Sequence, residues 1–345
     1  MTRMASAPTL AEVLFPRRDV RFNTIIDELS EPESGPPADN FVSNEDSYPR
    51  VAGDLERRAP RGGVYLGVGP DQNFTFLAHC APRLGIIVDF RRRNRLLHLL
   101  HKALISLSND RASYLARLTA RKPDRLSAEP GPDELEAAFT RASFDRERLT
   151  VAIAEVKSLL TPLKVVREQE WASLASIQAK LAGPGLEARF LALKMYPTLG
   201  HMLRTRDREG RRAHWLAHES TYQSIRTLQK GDLILPIVAD FSVPAGLKKL
   251  QTWLTHSNLL VSVFYISDVE FFLMRNGRFR TYIDSLSMLP WHEEAVLIRT
   301  STREIQHTER VAGDSSTTIV RRVASFLQAA RQQKIQAIDD LFAAQ

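Results

Sequence analysis

Five short apolar runs, largely β-branched, constrain this chain more than any other feature. They are Val64-Tyr65-Leu66 ending at Gly67, the run 84–88 ending at Asp89, the run 233–238 followed by Asp240, the run 259–266, and Ala295-Val296-Leu297-Ile298. Runs this short and this apolar suit strands buried on both faces of a parallel sheet. Helical patterns separate them. A short one covers 73–79, and a strong one carries Leu96, Leu100, Ala103 and Leu107 on a single stripe. Another covers roughly 244–256, with Pro244 in a first turn that needs no backbone N–H. The order predicts an α/β fold: a Rossmann-like, mostly parallel sheet with helices on both faces. Pro236 sharpens the topology. Proline cannot donate to a central ladder, so its strand belongs at an edge, where the strand order 3-2-1-4-5 puts the third strand.

The rest of the chain hangs on this core. Residues 1–60 read as an N-terminal arm packing on it. Within them 9–29 are partly helical in pattern, interrupted by Pro16, and 31–63 are rich in Pro, Gly and polar residues. The core is 61–108 together with 231–345. Residues 109–230 form a helical insertion between strands two and three, with helices expected over 146–160, 169–181 and 222–229. Such an insertion either covers a substrate cleft or thickens the fold, and the pattern leaves both readings open.

Composition removes several function classes. The single cysteine, Cys80, forbids an intrachain disulfide and a Cys/His zinc cluster, and favours a reducing compartment. No apolar run approaches the roughly 20 residues that span a bilayer. The first twenty residues lack the apolar stretch of a secretory signal. A cytoplasmic protein is expected, with no membrane partner. His98 and His101 share a helix face, but no third ligand stands near them in sequence, so no metal is expected. The net charge of +7 admits an anionic partner. The loop from Leu203 to Ser220 holds five arginines against three acids, yet no nucleic-acid reader motif accompanies it. Nucleic acid therefore remains open without support, and so does a homo-oligomer.

In an open parallel sheet a ligand lies outside the carboxyl ends of the strands. After the first run stands Gly67-Val68-Gly69-Pro70-Asp71-Gln72-Asn73, whose glycines allow close backbone approach. After the second stands Asp89, spaced to accept ribose hydroxyls, with Arg91 beside it. After the third stand Asp240 and Phe241, an acceptor beside a ring, fit to cradle an adenine. An ordinary turn between two buried strands explains the glycines equally simply; the two spaced aspartates add weight to a site. Gln72 occupies the place of a dinucleotide site's third glycine, and no Gly-Lys-Ser/Thr loop occurs. S-adenosylmethionine lacks a pyrophosphate and fits better.

Four segments, VYLGVGPDQNF, IIVDFRRRNRLLHLLHKAL, VADFSVPAGLKKL and VSVFYISDVEFFL, resemble an uncharacterised bacterial family. FVSNEDSYP and YPTLGHML extend the resemblance over most of 41–300. That family carries a Rossmann fold similar to class I S-adenosylmethionine-dependent methyltransferases. The resemblance implies cofactor-facing positions for Gly67, Gly69, Asp89 and Asp240. Asp71 departs from the methyltransferase glycine pattern. In such folds the fourth strand end faces the transferred methyl, which singles out Tyr265, Ser267, Asp268 and Glu270. The two carboxylates also suit a helix's first turn. Asn44 and Glu45 reach the pocket if Phe41 and Tyr48 anchor the arm across the sheet's open end. Tyr196, His218 and Glu219 are the insertion's candidates for lining a cleft. The expected function is methyl transfer to a small-molecule or peptide acceptor. A non-catalytic methyltransferase-like sensor or scaffold is the second reading, and a NAD-dependent oxidoreductase the third.

Overall fold

The computed structural model describes residues 18–34, 39–243, 247–302, 305 and 307–343. Pro16 and Pro244 lie outside the described residues. One sheet organises the rest. Its strands are β1 (Val64–Val68), β2 (Leu84–Asp89), β3 (Ile234–Val238), β4 (Val261–Ser267), β5 (Trp291–Ser301) and β6 (Thr317–Arg322). Their order is β3-β2-β1-β4-β5-β6. The first five pair in parallel, and β6 pairs antiparallel to β5. Every residue of β1 to β4 is buried, as their unbroken apolar runs require. Pro236 stands opposite Ile87 on the edge strand β3. An edge strand has one partner, so half its N–H groups are not needed by the ladder.

The crossovers are helical. Gln72–Cys80 links β1 to β2, and Arg92–Leu107 leaves β2. The long helix buries most of its length beneath helices of the 109–230 segment. It packs on Arg146–Leu160, Trp171–Ala182 and Glu219–Lys230. Three further helices occur there, Arg111–Thr119, Pro132–Arg141 and Leu199–Arg204. Side chains fix where these helices begin. Asp110 caps the first by accepting from the Ser113 N–H. Asp145 accepts from Glu147 N and Arg148 N at 2.8 and 3.2 Å. Each bond satisfies an N–H that has no partner within the helix.

β6 escaped the sequence reading. It is short, half polar and antiparallel, so it lacks the unbroken apolar signature of the other five. Arg18–Glu28 is helical, and its continuation crosses the ends of β2 and β3. Glu31 N donates to Val238 O at 2.7 Å, and Ser30 Oγ accepts from Val238 N at 3.0 Å. Among the described residues no helix is long and apolar enough to cross a membrane.

Candidate functional site

Three strand tips converge because of register. Val68 pairs with Val88, and Asp89 pairs with Val238. Gly69, Asp89 and Asp240 therefore stand at or just past three adjacent strand ends. The glycine loop is braced from inside. Asn73 Nδ2 donates to the carbonyls of Val68, Gly69 and Pro70 at 2.8, 3.2 and 2.7 Å, and Asn73 Oδ1 accepts from Tyr65 OH at 2.8 Å. A Cβ on Gly67 would lie 2.1 Å from Asn73 Oδ1, so this glycine makes room for a neighbour of the same chain. Gly69 has φ +84° and accepts from His98 Nε2 at 2.8 Å. Burial pushes the His98 imidazole down to about 4, so it is neutral and its Nε2 carries the proton.

The second and third tips are also engaged. Asp89 is gripped by Arg91, which donates from Nε and Nη2 at 2.8 and 2.7 Å and from its own N–H at 2.9 Å. Asp240 accepts from Ser34 Oγ at 3.0 Å and from Ser242 N at 2.7 Å, and stays partly exposed. Phe241 is buried with its ring 5.6 Å from that of Phe264, turned toward the core.

The fourth tip assembles a different chemistry. Ser267 ends β4 with φ +59°, a strained conformation for a residue with a side chain. Opposite it the arm lowers Glu45, which is fully buried. Tyr265 OH and Thr300 Oγ1 each donate to Glu45 Oε2 at 2.8 Å, and Ser267 Oγ donates to Oε1. Gln72 Nε2 donates to Tyr265 OH at 3.2 Å, which leaves Gln72 Oε1 buried with no partner. Burial, reinforced by the charge of Asp268, raises the Glu45 carboxyl to about 7 against the pull of the three hydroxyls. Burial also raises Asp268, whose Oδ2 accepts from Thr302 Oγ1 at 3.1 Å. Asn44 supports Asp268 with a side-chain hydrogen bond. Beside this centre a cavity of about 20 Å³ is lined by Ser267, Asp268, Glu270, Phe271 and residues 300–302 under Ile338, Leu341 and Phe342.

Cation pairing divides the buried carboxylates. Seven carboxylates are buried among the described residues: Glu45, Asp71, Asp89, Asp207, Asp232, Glu270 and Asp314. Five have a cation within 4.0 Å: Asp89 has Arg91, Asp207 has Arg211, Asp232 has Lys102, Glu270 has Arg299 and Asp314 has Arg50. Among the described residues Glu45 and Asp71 have no such ion pair. Burial raises Asp71 as well, to about 6.

Glu270 lines the same cavity but is committed to another partner. Its carboxylate takes Arg299 Nε at 2.8 Å, Arg299 Nη2 at 3.1 Å and Tyr282 OH at 3.1 Å, so it is tied up in a buried ion pair. The insertion's candidates find their partners inside the insertion. Tyr196 packs edge-on against Phe190 at 5.0 Å, and His218 meets Arg212 O at 3.2 Å. Glu219 pairs with Arg111 at 3.4 Å and accepts from Gln223 Nε2 at 2.7 Å. The arginines of the 203–220 loop are likewise engaged, Arg208 with Asp54 and Glu309, Arg211 with Asp207 and Glu56, and Arg212 with Asp133. His98 and His101 flank the Phe74 ring at 5.7 and 5.5 Å. Among the described residues no group of three or more His, Cys, Asp or Glu side chains is placed to hold a metal ion. Thr300 and Thr302 had no sequence signal beyond the polar break after the fifth apolar run.

Comparison with curated proteins returns no match. A family model described as a domain of unknown function, DUF7790, matches residues 40–344, from the arm that carries Glu45 to the tail that roofs the small cavity at the β4 tip, and the chain belongs to that uncharacterised family.

Proposed function

We propose that the chain binds S-adenosylmethionine across the tips of β1, β2 and β3 and transfers its methyl group to a small-molecule or peptide acceptor at the tip of β4. One observation carries this reading. The pairing register sets Gly69, Asp89 and Asp240 side by side, with the hydroxyl-and-carboxyl centre of Glu45 one strand further along the same sheet edge. Asp89 and Asp240 would hold the ribose and adenine, and the Gly69 turn would face the methionine end. The bound cofactor supplies an activated methyl group. The chain's own residues orient the acceptor and take up its proton; alignment is the larger part of such catalysis. The donor types fit the group on one condition: Arg91 must release Asp89.

That condition also gives the second reading its support. A protein in which Arg91 permanently fills the ribose position and Asn73 fills the glycine loop is a non-catalytic scaffold. Calorimetry of the full chain with S-adenosylhomocysteine and with NAD separates the two. Wild type binds the former more tightly than NAD. Arg91→Ala tightens it about tenfold, because breaking a charge-assisted pair costs about 1.5–3 kcal/mol and that cost disappears. Asp240→Ala weakens it about tenfold. Absence of binding in wild type and Arg91→Ala alike would leave only the scaffold.

A further inference from the structure

A groove of about 970 Å³ opens on the insertion, where the loop after Arg111–Thr119 meets the junction of the helices Pro132–Arg141 and Arg146–Leu160. Five cationic side chains line it, Lys122, Arg125, Arg141, Arg146 and Arg148, against two carboxylates, Asp124 and Asp145. Asp145 is already committed: it caps the helix Arg146–Leu160 and lies 3.3 Å from Arg148 Nε. Among the described residues the side chains of Lys122, Arg125, Arg141 and Arg146 take part in no ion pair or hydrogen bond. The 203–220 loop is as rich in arginine, but its Arg208, Arg211 and Arg212 each hold an acid of their own chain. There the fold consumes the charge; around the groove it does not. Like charges gathered at one concavity repel each other, and an anion seated among them removes that cost. The second observation is a ring. Phe144 lines the same groove and is 39% exposed. Arg121 backs it: the guanidinium donates to the carbonyls of Thr119, Ala142, Ala182 and Gly183, and its carbon lies 5.9 Å from the centroid of the Phe144 ring. An exposed aromatic face, backed by a fixed side chain in the wall of a basic groove, is a stacking platform.

We propose that this groove binds single-stranded nucleic acid, with phosphates on Lys122, Arg125, Arg141 and Arg146 and one base stacked on Phe144. Charge alone would suit an acidic peptide or an anionic membrane equally well; the ring selects among them. An unpaired base offers a π face, and the phosphates beside it reach the cations that share the groove. A guanidinium fork takes two phosphate oxygens at once. The cations come from three segments of chain, and Arg146 and Arg148, two apart on one helix, leave it in different directions. The charge is therefore spread along the groove, which suits a strand better than a lone phosphate. A bilayer is flat and does not enter a concavity, and a duplex keeps its bases stacked on each other. The groove shares no residue with the strand-tip site, so the proposal does not depend on the cofactor reading.

The test is fluorescence anisotropy of the full chain with a labelled oligodeoxythymidylate about twelve residues long. Affinity falls with salt, with a slope of about −3 in log affinity against log salt, as four phosphate contacts to a single strand require. Arg125→Ala, Arg141→Ala and Arg146→Ala each weaken binding about fivefold at about 0.1 M salt and each make the slope shallower by about 0.7. Phe144→Leu weakens binding about tenfold and leaves the slope unchanged, a combination that neither lost charge nor a lost fold produces. Arg280→Ala removes an exposed arginine from the helix Phe279–Ser287 and changes neither quantity. All five side chains are exposed, so the variants keep the fold, which circular dichroism checks. Poly-L-glutamate competing as well as the oligonucleotide at equal charge gives the groove to an acidic peptide and overturns the proposal. A duplex bound as tightly as the strand overturns it too, as does an affinity insensitive to Phe144→Leu. So does a loss in Arg280→Ala equal to that in Arg125→Ala, and so does absence of binding at low salt.

Discussion

Gly67 and Gly69 show how one residue type answers two demands. At Gly67 the obstacle is space, because an added Cβ meets Asn73 Oδ1 at 2.1 Å and Tyr65 OH at 2.6 Å. At Gly69 it is backbone, since φ is +84° and the nearest obstacle is the Gln72 amide end at 2.9 Å. Gly67→Ala must dislodge Asn73 and its three carbonyl bonds, and should lower stability by about 2–4 kcal/mol. Gly69→Ala should cost about 1–2 kcal/mol. Urea unfolding of both variants decides; a smaller loss for Gly67→Ala would mean that Asn73 is not the brace described. The two glycines were legible in the sequence, but their reason was not. A Gly-x-Gly looks the same whether a ligand or an asparagine fills it, and only the position of Asn73 distinguishes them.

Among elements, β5 and the helix Val269–Arg275 are joined by the Arg299–Glu270 pair, and Arg299 Nη1 also donates to Leu341 O at 2.6 Å. Glu270→Ala would strand a buried guanidinium and should cost about 3–5 kcal/mol. The double variant Glu270→Leu with Arg299→Met should recover part of that loss in the same unfolding measurement. A double variant no more stable than the single one would show that the charge is not what matters there. Five of the six strands and the helix Arg146–Leu160 were readable because apolar runs and helical periodicity are local signals. The contact between the arm and β4 was only half readable. Phe41 and Tyr48 marked Asn44 and Glu45 as anchored, but Thr300 lies 255 residues from Glu45 and nothing local announces it. Tyr196, His218 and Glu219 were candidates because a helical insertion can face a cleft, and the partners they meet lie within the insertion itself.

At the scale of the molecule, the unpaired acids tie stability to pH. Glu45 has a folded value of about 7 against an ordinary 4.5, raised by burial, so the folded state binds the proton more tightly than the unfolded state. Its contribution is fully present below about 4.5 and is lost as pH rises through 7. The window is about 2.5 units wide, worth about 3 kcal/mol. Wild type should lose stability between pH 5 and 7.5 more steeply than Glu45→Gln; parallel curves from unfolding at each pH would contradict the raised value. Building the centre also takes most of the polypeptide. Ser47 bonds to Ser316 across 269 residues, and Thr318 lies beside Thr300 at 2.9 Å. During synthesis β1 and β2 leave the ribosome long before these threonines exist, so Glu45 must wait in water while its apolar neighbours find one another. The hydroxyl shell is complete only once Thr300 has emerged, and a nascent chain halted before it carries a sheet in the making without the full set of donors to Glu45.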